Sequence, residues 1–66
     1  MIKDKIKSLR LKHSLSQEEL AKRAGVSYNT VAKIEQGVIK NPGMKTLLSI
    51  AKALGVSLDV LAKIFE

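Results

Sequence analysis

The residues best suited to chemistry in this sequence are polar side chains that recur at helical spacing between positions 28 and 36. Asn29, Lys33 and Gln36 stand four and three residues apart, which places them on one face of a helix. A carboxamide can bond N6 and N7 of adenine together, and an ammonium can reach O6 and N7 of guanine. The spacing therefore favours a surface that reads base edges in a DNA major groove, the alternative being an ordinary solvated helix face.

Two further side chains flank this face near its N-terminal end, where recognition helices usually meet base edges. The candidate base-reading set is Tyr28, Asn29, Thr30, Lys33 and Gln36. Ala32 is also expected to point outward, where its short side chain would permit close approach and contact with a thymine methyl group.

No arrangement of residues in the sequence suits catalysis. Cysteine is absent and histidine occurs once, so neither a thiolate site nor a histidine-based zinc site is available. Glu18 and Glu19 are adjacent on a predicted helix and point in different directions, so they do not form an acid–base pair. The sequence predicts a protein that is not an enzyme and has no metal or small-molecule cofactor.

Short helices are predicted to position these side chains, because apolar residues recur every three or four positions between glycine and proline residues. The predicted helices are residues 2–12, a second between the cap Ser16 and the stop Gly25, a third between the cap Ser27 and Gly37, a fourth at 44–54, and a fifth from the cap Ser57 towards Phe65. This pattern predicts an all-α fold, a compact five-helix domain, and a single domain spanning residues 1–66.

The second and third helices are joined by a turn too short for them to lie antiparallel. Ser16 and Glu19 have the spacing of a capping box, and Gly25 supplies a left-handed stop. Ala21 and Ala24 are small enough to let the two helices approach closely at a steep angle, which is the geometry of a helix-turn-helix. Two helices that merely pack together would have the same spacing.

The core is predicted along the apolar stripes of these helices. Its inward positions are Ile2, Ile6, Leu9, Leu20, Ala21, Ala24, Val31, Ile34, Leu47, Leu48, Ala51 and Leu54. Arg10 lies beside the stripe of the first helix, and Glu35 lies within that of the third. Because an isolated charge on an inward face is costly, the two residues are predicted to form an ion pair, the alternative being separate exposure to solvent.

The charge balance is strongly basic. Twelve Lys and Arg residues oppose six acids, which gives a net charge of +6. Such a field attracts nucleic acid, anionic lipid or acidic protein, although it can also serve solubility alone. No apolar run approaches the roughly 20 residues of a membrane span, and the N-terminus lacks the apolar centre of a signal peptide. A soluble, cytoplasmic protein is expected.

The segments together resemble the lambdoid phage repressor and Cro family, also called the xenobiotic-response-element type. The matching blocks are residues 15–21, residues 34–37, the dipeptide Asn41-Pro42 and residues 47–59. The resemblance covers nearly the whole chain. It implies a lambda-repressor-like fold and a duplex-DNA-binding transcription regulator of the repressor kind, whose third helix enters the major groove.

The resemblance also implies roles for individual residues. Gln17, the first residue after a cap, would contact a DNA phosphate beside free backbone amides. The family has an Arg–Glu pair that joins the first and third helices, matching Arg10 and Glu35. Further phosphate contacts are predicted for Ser27, Lys40, Asn41 and Lys45. Gly43 departs from the family, which frequently has a capping or basic side chain there.

The fifth predicted helix is apolar over an arc of about 160°, wider than the stripe of about 100° that a terminal helix typically buries. This favours a homodimer that meets through Leu58, Ile64 and Phe65 and binds an inverted-repeat operator, unless Ile64 and Phe65 close the monomer core. A rival from another class is a protein-interaction module, such as an antitoxin or a co-activator-like adaptor that keeps the fold. The polar third helix favours DNA, and the absence of Trp disfavours a membrane surface.

Overall fold

The computed structural model describes residues 2–61, which form α1 (Ile2–Lys12), α2 (Gln17–Ala24), α3 (Tyr28–Glu35), α4 (Met44–Ala53) and α5 (Leu58–Leu61). The described part of the chain contains no strand, and the predicted all-α fold with five helices is confirmed. The predicted continuation of the fifth helix towards Phe65 lies outside the described residues.

Local capping sets the start of α2 and α3. Ser16 Oγ accepts the Glu19 N–H at 3.0 Å, and Glu19 Oε1 accepts the Ser16 N–H at 2.7 Å, so the predicted capping box is present. Ser27 Oγ accepts the Thr30 N–H at 3.1 Å. Gly25 ends α2 in the left-handed region with a φ of 69°. Because these signals are local in sequence, the turn between the two helices could be predicted to within a residue.

The end of α1 uses the same turn geometry without a glycine. The Leu15 N–H donates to the Arg10 carbonyl at 3.0 Å and the Ser14 N–H donates to the Leu11 carbonyl at 2.9 Å, a Schellman motif. Ser14 has a φ of 57°, and within residues 2–61 it is the sole residue other than glycine in this region. A side chain there costs about 1–2 kcal/mol relative to right-handed backbone.

The core lies where α2 packs on α3 and α4 while α1 packs on α3 and α5. Its fully buried large side chains are Ile6, Leu20, Val31, Ile34, Ile50, Leu54 and Leu61. The prediction that Leu48 points inward is wrong, since 43% of it is exposed. The buried stripe of α4 instead runs through Leu47, Ile50 and Ala51, which places position 48 on the outer side of the helix.

Candidate nucleic-acid interface

The outer face of α3 carries Asn29, Lys33 and Gln36, and all three are exposed. On the opposite side of the helix, Val31 is completely buried and Ile34 is 1% exposed. The structure thus brings the three polar side chains to one accessible surface.

The N-terminal turn of α3 is fixed by its own hydroxyls. Ser27 Oγ lies 2.8 Å from Thr30 Oγ1 in addition to accepting the Thr30 N–H. Thr30 is half-buried, whereas Tyr28 beside it is 49% exposed. Any DNA contact by the Ser27 or Thr30 hydroxyl must therefore compete with the hydrogen bonds that hold this turn, whereas about half of the Tyr28 side chain faces solvent.

The expectation that Ala32 points outward is wrong. Its exposed fraction is 7%, so its methyl group is covered within the protein itself. The reason is that α3 is packed by α2 and α1 together, which buries a wider arc than a single apolar stripe. Ala32 is therefore not available to contact a thymine methyl group.

Behind this surface, Arg10 and Glu35 form a bidentate ion pair. Arg10 Nε donates to Glu35 Oε2 at 2.7 Å and Arg10 Nη2 donates to Oε1 at 2.8 Å. The two side chains are 9% and 3% exposed. Arg10 Nη1 also donates to the Leu15 carbonyl at 2.8 Å, so one guanidinium joins α1, α3 and the turn before α2.

The ionisation of this pair follows from its contacts. Burial alone would raise the pKa of Glu35, but the hydrogen bonds from Arg10 and Gln17 and the positive charge of Arg10 outweigh it. The pKa of Glu35 is lowered as a result, and the hydrogen bond to Glu35 raises the pKa of Arg10. Both groups are charged at neutral pH.

Gln17 occupies the first position of α2, with its side chain turned towards the ion pair. Its Nε2 donates to Glu35 Oε1 at 3.0 Å. Sequence reasoning missed this bond, because the residues are 18 positions apart and the assignment of Gln17 rested on its place after the cap. The part of the Gln17 amide that does not face Glu35 is the part available to a ligand.

A second basic surface follows α3. Lys40, Asn41 and Lys45 are exposed around the turn that leads into α4. Gly43 is the N-cap of α4 and provides no side-chain hydrogen bond to the helix. The sequence holds no acidic residue between positions 36 and 58, so no carboxylate of this segment offsets its lysines.

A family model described as helix-turn-helix matches residues 6–61. This chain belongs to the helix-turn-helix family. The match begins within α1 and covers α2 to α5 completely, and it confirms the resemblance found in the sequence, with α2 and α3 as the two helices that give the family its name.

Relatives of this helix-turn-helix chain include regulators from archaea and bacteria. An uncharacterized HTH-type transcriptional regulator of Methanocaldococcus jannaschii is 43% identical over 58 residues, which are 88% of this chain and 86% of the relative. The cryptic phage CTXphi transcriptional repressor RstR of Vibrio cholerae is 39% identical over 56 residues, which are 85% of this chain and 50% of RstR. These similarities support the function of a DNA-binding transcription regulator.

A solved complex of the proteins SinR and SinI contains a similar chain. The TM-score is 0.91 at 33% sequence identity, and the match covers 97% of this chain and 62% of that one. This chain therefore spans less than two thirds of the length of that structural relative.

Three residues of this helix-turn-helix chain, at positions 58, 64 and 65, are predicted to form the interface of a homodimer. Leu58 is half-buried and packs against the core, while Ile64 and Phe65 lie outside the described residues. Large apolar side chains that are exposed within residues 2–61 are Leu11, Tyr28, Val38, Met44 and Leu48. The exposed apolar surface in this part of the chain thus lies mainly off α5.

Residues 2–61 contain no cluster of three or more histidine, aspartate or glutamate side chains that could hold a metal ion. Over the same residues, no helix has the length and hydropathy needed to cross a membrane.

Proposed function

We propose that this helix-turn-helix protein is a sequence-specific repressor of transcription that places α3 in the major groove of duplex DNA. The observation that carries the proposal is the two-sided character of α3: Asn29, Lys33 and Gln36 are exposed, whereas Val31 and Ile34 are buried. A helix held this firmly by its inner face presents its polar face in a fixed orientation, which direct readout requires.

The proposal assigns contacts with DNA bases to five residues. They are Tyr28, Asn29, Thr30, Lys33 and Gln36. Asn29 suits adenine and Lys33 suits guanine, since a carboxamide and an ammonium match the donors and acceptors on those base edges.

Phosphate contacts hold the register on either side of the reading helix. The residues assigned to them are Gln17, Ser27, Lys40, Asn41 and Lys45. Gln17 lies at the start of α2, where backbone N–H groups and the helix dipole favour an anion. The exposed lysines at positions 40 and 45 add positive charge beyond the end of α3.

The protein acts as a homodimer on an inverted repeat in this proposal. A lone helix-turn-helix reads few base pairs, and two-fold pairing doubles both the contacts and the selectivity. The surface assigned to pairing is the fifth helix predicted from the sequence, with Leu58, Ile64 and Phe65. Repression rather than activation is inferred from the similarity to RstR, whose name is that of a transcriptional repressor. The single domain of residues 1–66 carries no catalytic activity and acts in the cytoplasm.

Selection of bound duplexes from a random pool tests the proposal. We expect enrichment of one half-site in inverted repeat. The variant Lys33→Ala should relax the preference at one base position per half-site, at a cost of about 1–3 kcal/mol against the preferred site. Lys52→Ala, which removes an exposed lysine in the last turn of α4, is the charge-matched control. Equal recovery of all duplexes by the wild-type protein would contradict sequence-specific binding and favour a protein-interaction module.

A further inference from the structure

The carboxylate of Glu35 is shared by side chains from two other helices. Its Oε1 accepts from Arg10 Nη2 at 2.8 Å and from Gln17 Nε2 at 3.0 Å, and its Oε2 accepts from Arg10 Nε at 2.7 Å. The Glu35 carboxylate on α3 therefore holds the side chains of both Arg10, which neutralises its charge, and Gln17, which begins α2.

This arrangement fixes which way the Gln17 amide faces. An ionised carboxylate can only accept hydrogen bonds, so Gln17 must turn its NH₂ group, and not its carbonyl oxygen, towards Glu35. One of the two Nε2 hydrogens remains unused by that bond. As the first residue of α2, Gln17 also has a backbone N–H without an acceptor inside the helix. Gln17 therefore offers two donors, one from its side chain and one from its backbone, to a phosphate, which accepts hydrogen bonds and donates none.

Arg10 determines whether a phosphate can approach this place. The Glu35 carboxylate lies directly behind the Gln17 amide and would repel a phosphate if it were left uncompensated. The bidentate contact with Arg10 cancels that charge at close range. Through the Leu15 carbonyl, Arg10 also holds the chain just before the cap of α2. Charge and geometry at the start of α2 thus depend on the same two residues.

We infer that Glu35 is the positioning residue for a phosphate contact made by Gln17, and that Arg10 makes this position electrostatically neutral. The inference rests on the proposed function and assigns Glu35 a role in DNA affinity that its burial alone does not reveal. Glu35 does not touch DNA; it acts by holding the Gln17 amide in one orientation.

A thermodynamic cycle on a selected duplex tests the inference. The background variant is Arg10→Met with Glu35→Leu, which replaces the ion pair by apolar side chains of similar size and can retain the fold. In the wild-type background, Gln17→Ala should weaken DNA binding about tenfold, the equivalent of one hydrogen bond to a charged group. In the variant background, the same change should weaken binding less than about twofold, because the amide is no longer oriented.

A matched control distinguishes the loss of Gln17 orientation from a general loss of DNA affinity in the variant background. Lys45→Ala removes an exposed lysine that has no contact with Glu35, so it should weaken binding by the same factor in both backgrounds. Ethylation of individual phosphates gives a second readout. Ethylation of one phosphate should weaken binding by the wild-type protein more than binding by Gln17→Ala or by the variant background, which keep only the backbone N–H of residue 17 as an oriented donor.

If the double variant does not fold, Glu35→Asp takes its place, since it keeps the charge and withdraws the carboxylate by ~1.5 Å. An equal effect of Gln17→Ala in wild-type and altered backgrounds would overturn the inference, and so would an unchanged affinity of Gln17→Ala in the wild-type background. In either case DNA binding by the wild-type protein would leave the proposed function standing. Failure of the wild-type protein to bind any duplex would overturn both.

Discussion

Arg10 and Glu35, 25 residues apart in sequence, meet in a bidentate ion pair whose two hydrogen bonds measure 2.7 and 2.8 Å. The pair joins the end of α1 to the end of α3. Because both side chains are almost entirely covered, neither charge can be satisfied by water when its partner is removed. The pair therefore links the stability of the domain to the placement of its candidate reading helix.

Removing one member of the pair should destabilise the protein strongly. We expect Arg10→Met alone or Glu35→Leu alone to lower the free energy of unfolding by roughly 3–5 kcal/mol, since a buried charge is left unpaired. Changing both together should be nearly neutral, because no charge remains to be buried. Denaturant unfolding of the single and double variants measures the coupling. Small and additive effects would show that the pair contributes little to folding.

Stability should also depend on pH through Glu35. Its folded pKa is lowered from an ordinary value of 4.5, so the unfolded chain takes up protons before the folded one does. The stabilisation is complete well above pH 4.5 and is lost as the pH falls through the lowered pKa of the folded state. Unfolding measured from pH 7 downwards should therefore show a steeper loss of stability in the wild-type protein than in Arg10→Met with Glu35→Leu. Glu19, whose pKa is lowered by its hydrogen bonds with Ser16, contributes equally to both.

Ser14 is a position at which the protein can be stabilised. Its left-handed backbone, with a φ of 57°, suits glycine, which pays no steric penalty there but is more flexible when unfolded. We expect Ser14→Gly to raise the free energy of unfolding by about 0.5–1 kcal/mol. Gly25→Ala is the reciprocal control: an added Cβ meets nothing within 4 Å, yet a φ of 69° makes the change destabilising by about 1 kcal/mol. Thermal unfolding of both variants checks the signs, and a destabilising Ser14→Gly would contradict the argument.

Features that depend on neighbouring residues in sequence could be predicted, whereas features that depend on packing could not. The caps at Ser16 and Ser27 and the bounds of α1 follow from signals within a few residues. The sequence pattern puts Ala32 and Leu48 on the wrong sides of their helices, because the buried arc of a helix depends on the helices that pack against it. The bond between Gln17 and Glu35 has no local signal at all, and only the relative placement of α2 and α3 reveals it.

Duplex binding should weaken steeply as salt is added. Each phosphate that the protein neutralises contributes about −0.9 to the slope of log affinity against log salt. We expect Lys40→Ala and Lys45→Ala each to make the slope shallower by about 1 unit and to weaken binding uniformly across sequences. Lys52→Ala serves as the control for net charge. A slope that is unchanged in the first two variants would remove these lysines from the phosphate-binding set.

Two substitutions of an apolar residue by aspartate can identify the surface through which two copies of the protein pair. Within the described residues, Leu58 packs against the core and Leu48 on α4 is 43% exposed, so α4 offers an alternative to α5 as an apolar surface. A pairing surface on α4 would bring Lys45 and Lys52 of each copy together, and α4 itself carries no acidic residue to offset them, which disfavours it. We therefore expect Phe65→Asp to abolish pairing and Leu48→Asp to preserve it.

Sedimentation with and without a selected duplex measures the outcome. The wild-type protein should bind with two copies per inverted repeat, with its reading helices about 34 Å apart to match one turn of DNA. Because DNA holds the two copies side by side, pairing that is weak in free solution should become complete on the operator. Phe65→Asp should then bind the half-sites independently, with the loss of cooperativity and not of base preference. Strict one-to-one binding of the wild-type protein to a site without symmetry would contradict the dimer while leaving sequence-specific DNA binding in place.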